Sequence, residues 1–492
     1  MDTLISVKPL IAVLVSLLAI PLIGFSRSPN VREGWTFLAA VIKFALVASM
    51  LPAVLQGKEI ICQVVEVLPG LSLAFRVDAF GMLFALVASF LWIITSAYSI
   101  GYMRGLDEHA QTRYFCFFAV SLSAAIGVAF SANLLTMYLF YEMLSLATYP
   151  LVTHHQDEEA RTSGRKYLLY TVGASIGLVL PAMLVTYHFT GNLDFSPQGV
   201  LAGTASRGTV ALLLFMFVFG FAKAAVMPLH SWLPAAMVAP TPVSALLHAV
   251  AVVKGGGFSI VRVITGIFGT DLLQAFDLST PLLFVASTTI LVGSFIALSQ
   301  DNLKRMLAFS TIAQLSYIVL GAAMLSPKGV TGGMVHIAMH AFGKITLFFC
   351  AGAIFVATGK KNISEMTGIG RRMPVTMTAF FIGALSIIGM PPCGGFLSKW
   401  TLVLGALEAD QIAILAVLLF SSMLNAAYFM PVVYRAFFCP PEDALFEARV
   451  QEAPLFCVVP LTITAVISLV LLVYPQPFMQ LAVMSAAILP LA

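Results

Sequence analysis

The chain has 492 residues, of which 60% are hydrophobic and only 10% charged, with a formal net charge of +4 at pH 7. A soluble domain carries about 25% charged residues, so no aqueous fold hides this much apolar surface, and so small a net charge gives no reason to expect nucleic acid as a partner. Composition excludes a soluble enzyme and leaves an all-α, integral membrane protein surrounded by the lipid bilayer.

About fourteen apolar runs reach the roughly 20 residues needed to span a bilayer. Their cores fall at 4–26, 35–55, 78–101, 114–130, 132–152, 167–190, 209–227, 241–262, 281–299, 305–325, 330–357, 374–409, 411–437 and 455–480. The first is too long, and lacks the small-residue cleavage site, to be a signal peptide, so it reads as a retained helix. Loops between runs are short, so the expectation is a single membrane domain over 1–492 with no attached soluble unit. The six cysteines (Cys62, Cys116, Cys350, Cys393, Cys439 and Cys457) are scattered without a CxxC pair. They offer no cluster, zinc or disulfide framework, and neither a cofactor nor a metal is expected.

Fifteen Lys and Arg lie in or beside the odd-numbered loops, among them Arg27, Arg113, Arg165, Arg371 and Arg449. Five lie on the even-numbered side: Lys58, Arg76, Arg207, Arg262 and Lys328. Positive charge marks cytoplasmic loops, so the odd loops are expected in the cytoplasm, with both termini outside the cell membrane.

Two runs look broken. The seventh runs into Met227-Pro228-Leu229-His230-Ser231-Trp232-Leu233-Pro234, and the twelfth is interrupted at Gly389-Met390-Pro391-Pro392-Cys393-Gly394-Gly395. Proline removes a backbone donor, and irregular backbone inside a membrane survives only where protein or a water-filled cavity surrounds it. Lys223 precedes the first break and Lys399 follows the second. Broken helices in corresponding positions of two halves point to a transport site between repeats. The reversed order fits two inverted five-helix repeats, 113–267 and 281–438, flanked by 1–112 and 455–492.

Charge inside apolar runs is costly: Lys or Asp at the centre of a membrane helix costs about 2.5–3.5 kcal/mol on insertion scales. Glu142, Lys223, Lys254, Lys344 and Lys399 all occupy such positions. Intramembrane charges are functional-site hypotheses by default, and a chain of them suggests an ion or proton path. Glu142 in the fifth run and Lys223 in the seventh are plausible partners; a static pair gluing helices would not require the further lysines. His336, His340 and Lys344 fall at i, i+4 and i+8, so they stack on one helix face as a polar stripe of about 12 Å. His248 and Lys254, six apart, need not share a face, and Lys254 precedes Gly255-Gly256-Gly257, which would let it approach a neighbouring backbone. Neutral His mixed with cationic Lys disfavours a metal. Weaker candidates are Asp78 as a helix start, Lys304 as an anchor or gate for protons, and Lys43, which snorkels or pairs. His154, His155 and the acidic stretch 157–159 read as a solvated loop.

The block Pro228-Leu229-His230-Ser231-Trp232-Leu233-Pro234, then Ala239-Pro240-Thr241-Pro242-Val243-Ser244-Ala245-Leu246-Leu247-His248, is highly specific. With Asn302-Leu303-Lys304-Arg305-Met306-Leu307-Ala308-Phe309-Ser310-Thr311 and Gly389-Met390-Pro391-Pro392 it resembles the proton-conducting antiporter-like family of complex I, membrane-bound hydrogenases and Mrp cation/proton antiporters. The resemblance runs from about residue 70 to 440, and the length most resembles the D subunit of an Mrp antiporter. It implies that Glu142 and Lys223 take the ion-pair positions, that His248 and Lys254 match the eighth-helix relay, that His336, His340 and Lys344 match the eleventh-helix relay, and that Lys399 matches the terminal site. Subunits of the complex I M type resemble this pattern but have glutamate at the terminal position. After Trp232-Leu233-Pro234 many relatives have Asp where this chain has Ala235, so a role for that acid does not carry over. The implied function is proton translocation within a multisubunit monovalent cation (Na+)/H+ antiporter, with other membrane subunits, protons and Na+ as partners. The rival is a proton-pumping subunit of a complex I-like NADH-quinone oxidoreductase or membrane-bound hydrogenase; the chain has no nucleotide, flavin, quinone or cluster motif of its own.

Overall fold

The computed structural model describes residues 2–68, 70–440 and 450–490; Arg449, counted above among the odd-loop charges, lies outside the described residues. Helices dominate, because the bilayer accepts only backbone whose hydrogen bonds close internally. In chain order they are α1 (Lys8–Gly24), α2 (Pro29–Leu55), α3 (Ala79–Gly105), α4 (Gln111–Ala129), α5 (Leu134–Val152), α6 (Glu158–Thr190), α7 (Arg207–Gly220) and α8 (Thr241–Phe268). There follow α9 (Ser279–Leu298), α10 (Leu303–Ala323), α11 (Pro327–Thr358), α12 (Pro374–Ile388, resuming after a break as Gly395–Glu408), α13 (Ile412–Phe438), α14 (Leu455–Val473) and α15 (Gln476–Ala487). Starts are set locally by polar caps. The side chains of Asp78, Asn133, Asp157, Asn302 and Ser326 accept backbone N–H groups at the heads of α3, α5, α6, α10 and α11, as capping residues do.

Helices α1 to α14 cross the bundle in alternation. Odd loops meet at one end: Arg104 bonds Glu33 at 2.5 Å, Arg113 donates to the His154 carbonyl at 2.9 Å, and Gly368 N donates to Arg435 O at 3.0 Å. Even loops meet at the other, where Arg76 donates to Phe195 O at 3.0 Å and Lys328 N donates to Glu408 at 2.9 Å. Ends that sort this way are what fourteen crossings require.

Position in the bundle follows burial. The best apolar windows of α8 and α10 are wholly buried, whereas those of α2, α6, α13 and α14 are only 28–39% buried and turn outward. The outward residues are as apolar as the inward ones, such as Leu169 and Met423, because lipid replaces water as the solvent. The polar residues are inside instead.

Two expectations need correction. Residues 4–26 do not form one helix: Thr3–Ile5 is a strand (β1), parallel to Glu59–Leu68 (β2), which pairs antiparallel with Leu71–Val77 (β3). Register runs Thr3↔Glu59 and Cys62↔Phe75. The β-branched run Ile60-Ile61-Cys62-Gln63-Val64-Val65 favours a strand, and at the edge of the bundle this ribbon closes its own backbone bonds. The run 455–480 is likewise two helices, because Pro475 and Pro477 start a new one in α15.

Both expected breaks are present. After α7 the chain makes a turn of 3₁₀ helix at Ala222–Ala224, Ala225 adopts a left-handed conformation (φ 54°), and Met227–Pro228 is cis. In α12, Gly389 is left-handed (φ 84°) and Pro391–Pro392 is cis. Each break frees a carbonyl, and each carbonyl finds a donor. The Trp232 indole donates to Ala222 O at 3.0 Å, and Lys399 Nζ donates to Ile388 O at 3.0 Å.

Candidate functional site

The eight sequence-predicted residues lie inside the bundle, and seven of them are buried; Glu142 alone is half-exposed. On α5, Glu142 accepts a hydrogen bond from Ser175 Oγ, which sits at the head of a π-helical segment, Ser175–Val179, within α6. Lys223 lies in the 3₁₀ turn of the first break. Its Nζ donates to Tyr141 O and to Ser145 Oγ, each at 2.6 Å, and lies 3.1 Å from the centre of the Tyr141 ring. Glu142 and Lys223 share the α5 seam, yet among the described residues no nitrogen–oxygen approach of 4.0 Å or less joins them. The structure holds the two charges as neighbours with separate partners.

Helix α8 brings the path inward. Its Leu246–Val250 stretch is π-helical, which rotates His248 out of register with the following turns; its ring lies 4.6 Å from that of Phe348. Neither His248 ring nitrogen has a hydrogen-bond partner. Lys254 leans the other way and contacts Nδ1 of His340 on α11 directly. The close approach expected of the glycine run is real: a Cβ at Gly256 would overlap the backbone of Lys223 and Ala224. Glycine here lets α8 lie against the first break.

Along α11 the stripe divides. The His336 and His340 rings are 5.7 Å apart, and His336 Nδ1 is 2.9 Å from Ser398 Oγ. Lys344 turns to α10 instead, where its Nζ donates to Ser310 Oγ at 2.8 Å and Leu307 O at 3.2 Å. Ser310 in turn meets Tyr428 Oη at 2.9 Å. The shared face predicted for the three residues therefore serves two different sets of partners. At the far end, Lys399 Nζ donates to Ile388 O and to Ser422 Oγ (3.2 Å) and lies 4.8 Å above the Tyr317 ring, itself 5.4 Å from His336.

Tyr141, Ser145, Ser175, Ser310, Tyr317, Ser398 and Ser422 carry these contacts, and the sequence pattern did not single them out. Hydroxyls in membrane helices ordinarily satisfy themselves on the preceding turn, as Ser145 also does on Tyr141 O. The one available signal was adjacency: Tyr141 precedes Glu142 and Ser398 precedes Lys399.

The weaker candidates resolve differently. Asp78 caps α3 and also binds Arg262 through two bonds of 2.5 and 2.8 Å. Arg262, counted above as an even-loop charge, is buried among Phe80, Phe195 and Phe258. Lys43 neither snorkels nor pairs: it is buried, 5.6 Å from the Trp92 ring, and its Nζ has no hydrogen-bond partner. Lys304 donates to Ala239 O at 2.6 Å and lines a cavity of about 830 Å³ at the odd-loop end, with Glu108, Asp157, Lys166, Lys360 and Lys361 around its walls. His154 is not part of a solvated loop; its side chain is fully buried.

A lipid-facing bundle enclosing a file of buried lysines and histidines is a proton-translocating, antiporter-like membrane protein. The chain belongs to the NADH:quinone oxidoreductase/Mrp antiporter transmembrane family, whose model matches residues 131–425, a span that contains all eight residues. It is 35% identical over 361 residues to NADH-quinone oxidoreductase subunit N of Desulforudis audaxviator, covering 73% of this chain and 71% of that protein. It is 30% identical over 462 residues to an Na(+)/H(+) antiporter protein of Alkalihalophilus pseudofirmus, covering 88% of this chain but only 56% of that protein. A chain of the Mrp complex from Dietzia sp. DQ12-45-1b has the same fold, with a TM-score of 0.87 at 24% identity over 98% of this chain and 96% of that one.

Proposed function

We propose that this chain is the proton-carrying membrane subunit of a multisubunit monovalent cation (Na+)/H+ antiporter, of the D-subunit type. The observation that carries this reading is the direct contact of Lys254 with His340, because it joins the helix beside the first break to the file that ends at Lys399. Protons enter from the odd-loop cavity beside Lys304, with odd loops in the cytoplasm and both termini outside. They pass by His248 and Lys254, with water filling the gaps, to His340 and His336, and leave at Lys399. The two inverted five-helix units, 113–267 and 281–438, each contribute one broken helix to this route.

Glu142 is the switch. At an effective dielectric near 20, charges 4 Å apart attract by about 4 kcal/mol, equivalent to roughly a thousandfold in a proton equilibrium. When the carboxylate swings towards Lys223, the lysine holds its proton; in the arrangement seen, with Glu142 on Ser175 and Lys223 on neutral oxygens, that hold is weakened and the proton moves on.

The test is transport in vesicles carrying the assembled complex. Lys223→Ala and Glu142→Ala should each abolish proton movement while the complex still assembles, and wild-type rates in either would sink the proposal. A second reading, membership of a redox-driven assembly, is favoured by the quinone oxidoreductase relative, whose identity of 35% exceeds the 30% of the antiporter relative. Proton transport driven by an imposed Na+ gradient alone, without electron donor, separates the two.

A further inference from the structure

One cluster takes no part in the route above. The α3–α4 loop carries Glu108 and His109, and the α5–α6 loop carries His154 and His155. These loops are held together at the odd-loop end by Arg113, which donates to His154 O at 2.9 Å, and Gln111, which donates to Glu108 O at 3.0 Å. One ligand atom from each of Glu108, His109 and His154 falls within 4.8 Å of the others. His154 Nε2 is 3.6 Å and His155 Nδ1 is 3.7 Å from the same oxygen, Glu108 Oε2. Those separations are too long for hydrogen bonds, but they approach the edge of about 3.3–3.4 Å between ligands of a tetrahedral ion with bonds of 2.0–2.1 Å. The second observation is independent of the clustering. The His154 side chain is 0% exposed, and neither of its ring nitrogens has a hydrogen-bond partner. Buried polar nitrogens are nearly always satisfied, and a histidine turned towards a carboxylate and a second imidazole has the surroundings of a metal ligand.

We propose that Glu108, His109 and His154, with His155 beside them, bind a zinc-like transition-metal dication. Imidazole-rich donor sets suit zinc and its neighbours, whereas calcium and magnesium take oxygen ligands. The site has a consequence for transport, which rests on the function proposed above. Glu108 and His155 both line the cavity that reaches Lys304, so a bound dication adds two positive charges at the mouth through which protons would enter. The same ion ties together the loops that follow α3 and α5, and α5 carries Glu142. Zinc therefore acts as an inhibitor from the odd-loop side.

The probe is Zn2+ itself, added to the purified, chelator-stripped complex, with bound metal measured by elemental analysis and affinity by competition with a chromophoric chelator. The expected result is one ion per chain, with affinity at least about tenfold weaker in Glu108→Gln and in His109→Ala. His109 is exposed, so its replacement does not endanger folding, and equal melting temperatures check this. A tetrahedral Co2+ spectrum in the wild type that is lost in His109→Ala supports the site. Absence of stoichiometric binding, or equal affinity in both variants, overturns it. Transport is then read as fractional inhibition by Zn2+ within each protein. Inhibition that weakens about tenfold in His109→Ala supports the gating role, and binding without inhibition overturns that role alone. Because binding is measured without transport, failure of the antiporter reading leaves the metal test decisive.

Discussion

The two broken helices solve one problem in two ways. In both, a proline-rich interruption strands a carbonyl inside the bundle, and in both a buried lysine lies within a turn or two of it. At the first break the carbonyl of Ala222 is satisfied by a neutral indole, and Lys223 is left free to bond with Tyr141 and Ser145 on a neighbouring helix, close to Glu142. At the second, Lys399 itself satisfies Ile388 O, and its other neighbours are a hydroxyl and the Tyr317 ring. The first lysine is thus positioned to answer to a mobile carboxylate. The second is built into the break that exposes it. A switch and a terminus need those two surroundings respectively.

The largest effect should come from cutting the two halves apart. Lys254→Ala removes the contact with His340, and loss of a positioned proton carrier costs about 10²–10⁴-fold. Vesicle transport should fall at least about a hundredfold with assembly intact; a rate within threefold of wild type would mean the halves communicate elsewhere. Next in size is one substitution made at both ends. Lys223→Glu puts a second carboxylate near Glu142, where like charges oppose each other, and should eliminate transport. Lys399→Glu keeps a titratable group at a site with no acidic neighbour and should retain about a tenth of the rate. Equal losses at the two positions would erase the distinction between switch and terminus.

Much of this was legible in the sequence, for a physical reason. A lysine or glutamate in an apolar run costs so much that it stands out, and proline and glycine mark broken backbone without any knowledge of packing. Hence Glu142, Lys223, Lys254 and Lys399, both breaks and the close approach at Gly256 were found from residues alone. What escaped was whatever depends on direction. Periodicity put Lys344 on the face of His336 and His340, but a four-carbon side chain reaches sideways, and the Ser310 hydroxyl drew it to α10. The π-helical stretch at Leu246–Val250 has no sequence signature and shifts the facing of His248. The histidines of the α5–α6 loop looked solvated because the segment is polar; only the fold shows that the α3–α4 loop closes over His154.

A smaller prediction, on stability, follows from the same contrast. Trp232→Phe keeps the ring's packing but removes the Nε1 donor to Ala222 O. A buried acceptor left without a partner costs about 1–3 kcal/mol, so the complex should unfold at lower temperature in detergent. Transport per assembled complex should stay within about twofold, since the indole touches no residue of the path. Lys399→Met removes the donor to Ile388 O and the proton carrier together, so it should lower stability by a similar amount and stop transport as well. If Trp232→Phe also halted transport at unchanged stability, the indole would have to be counted with the path, and the division of labour between the two breaks would be wrong.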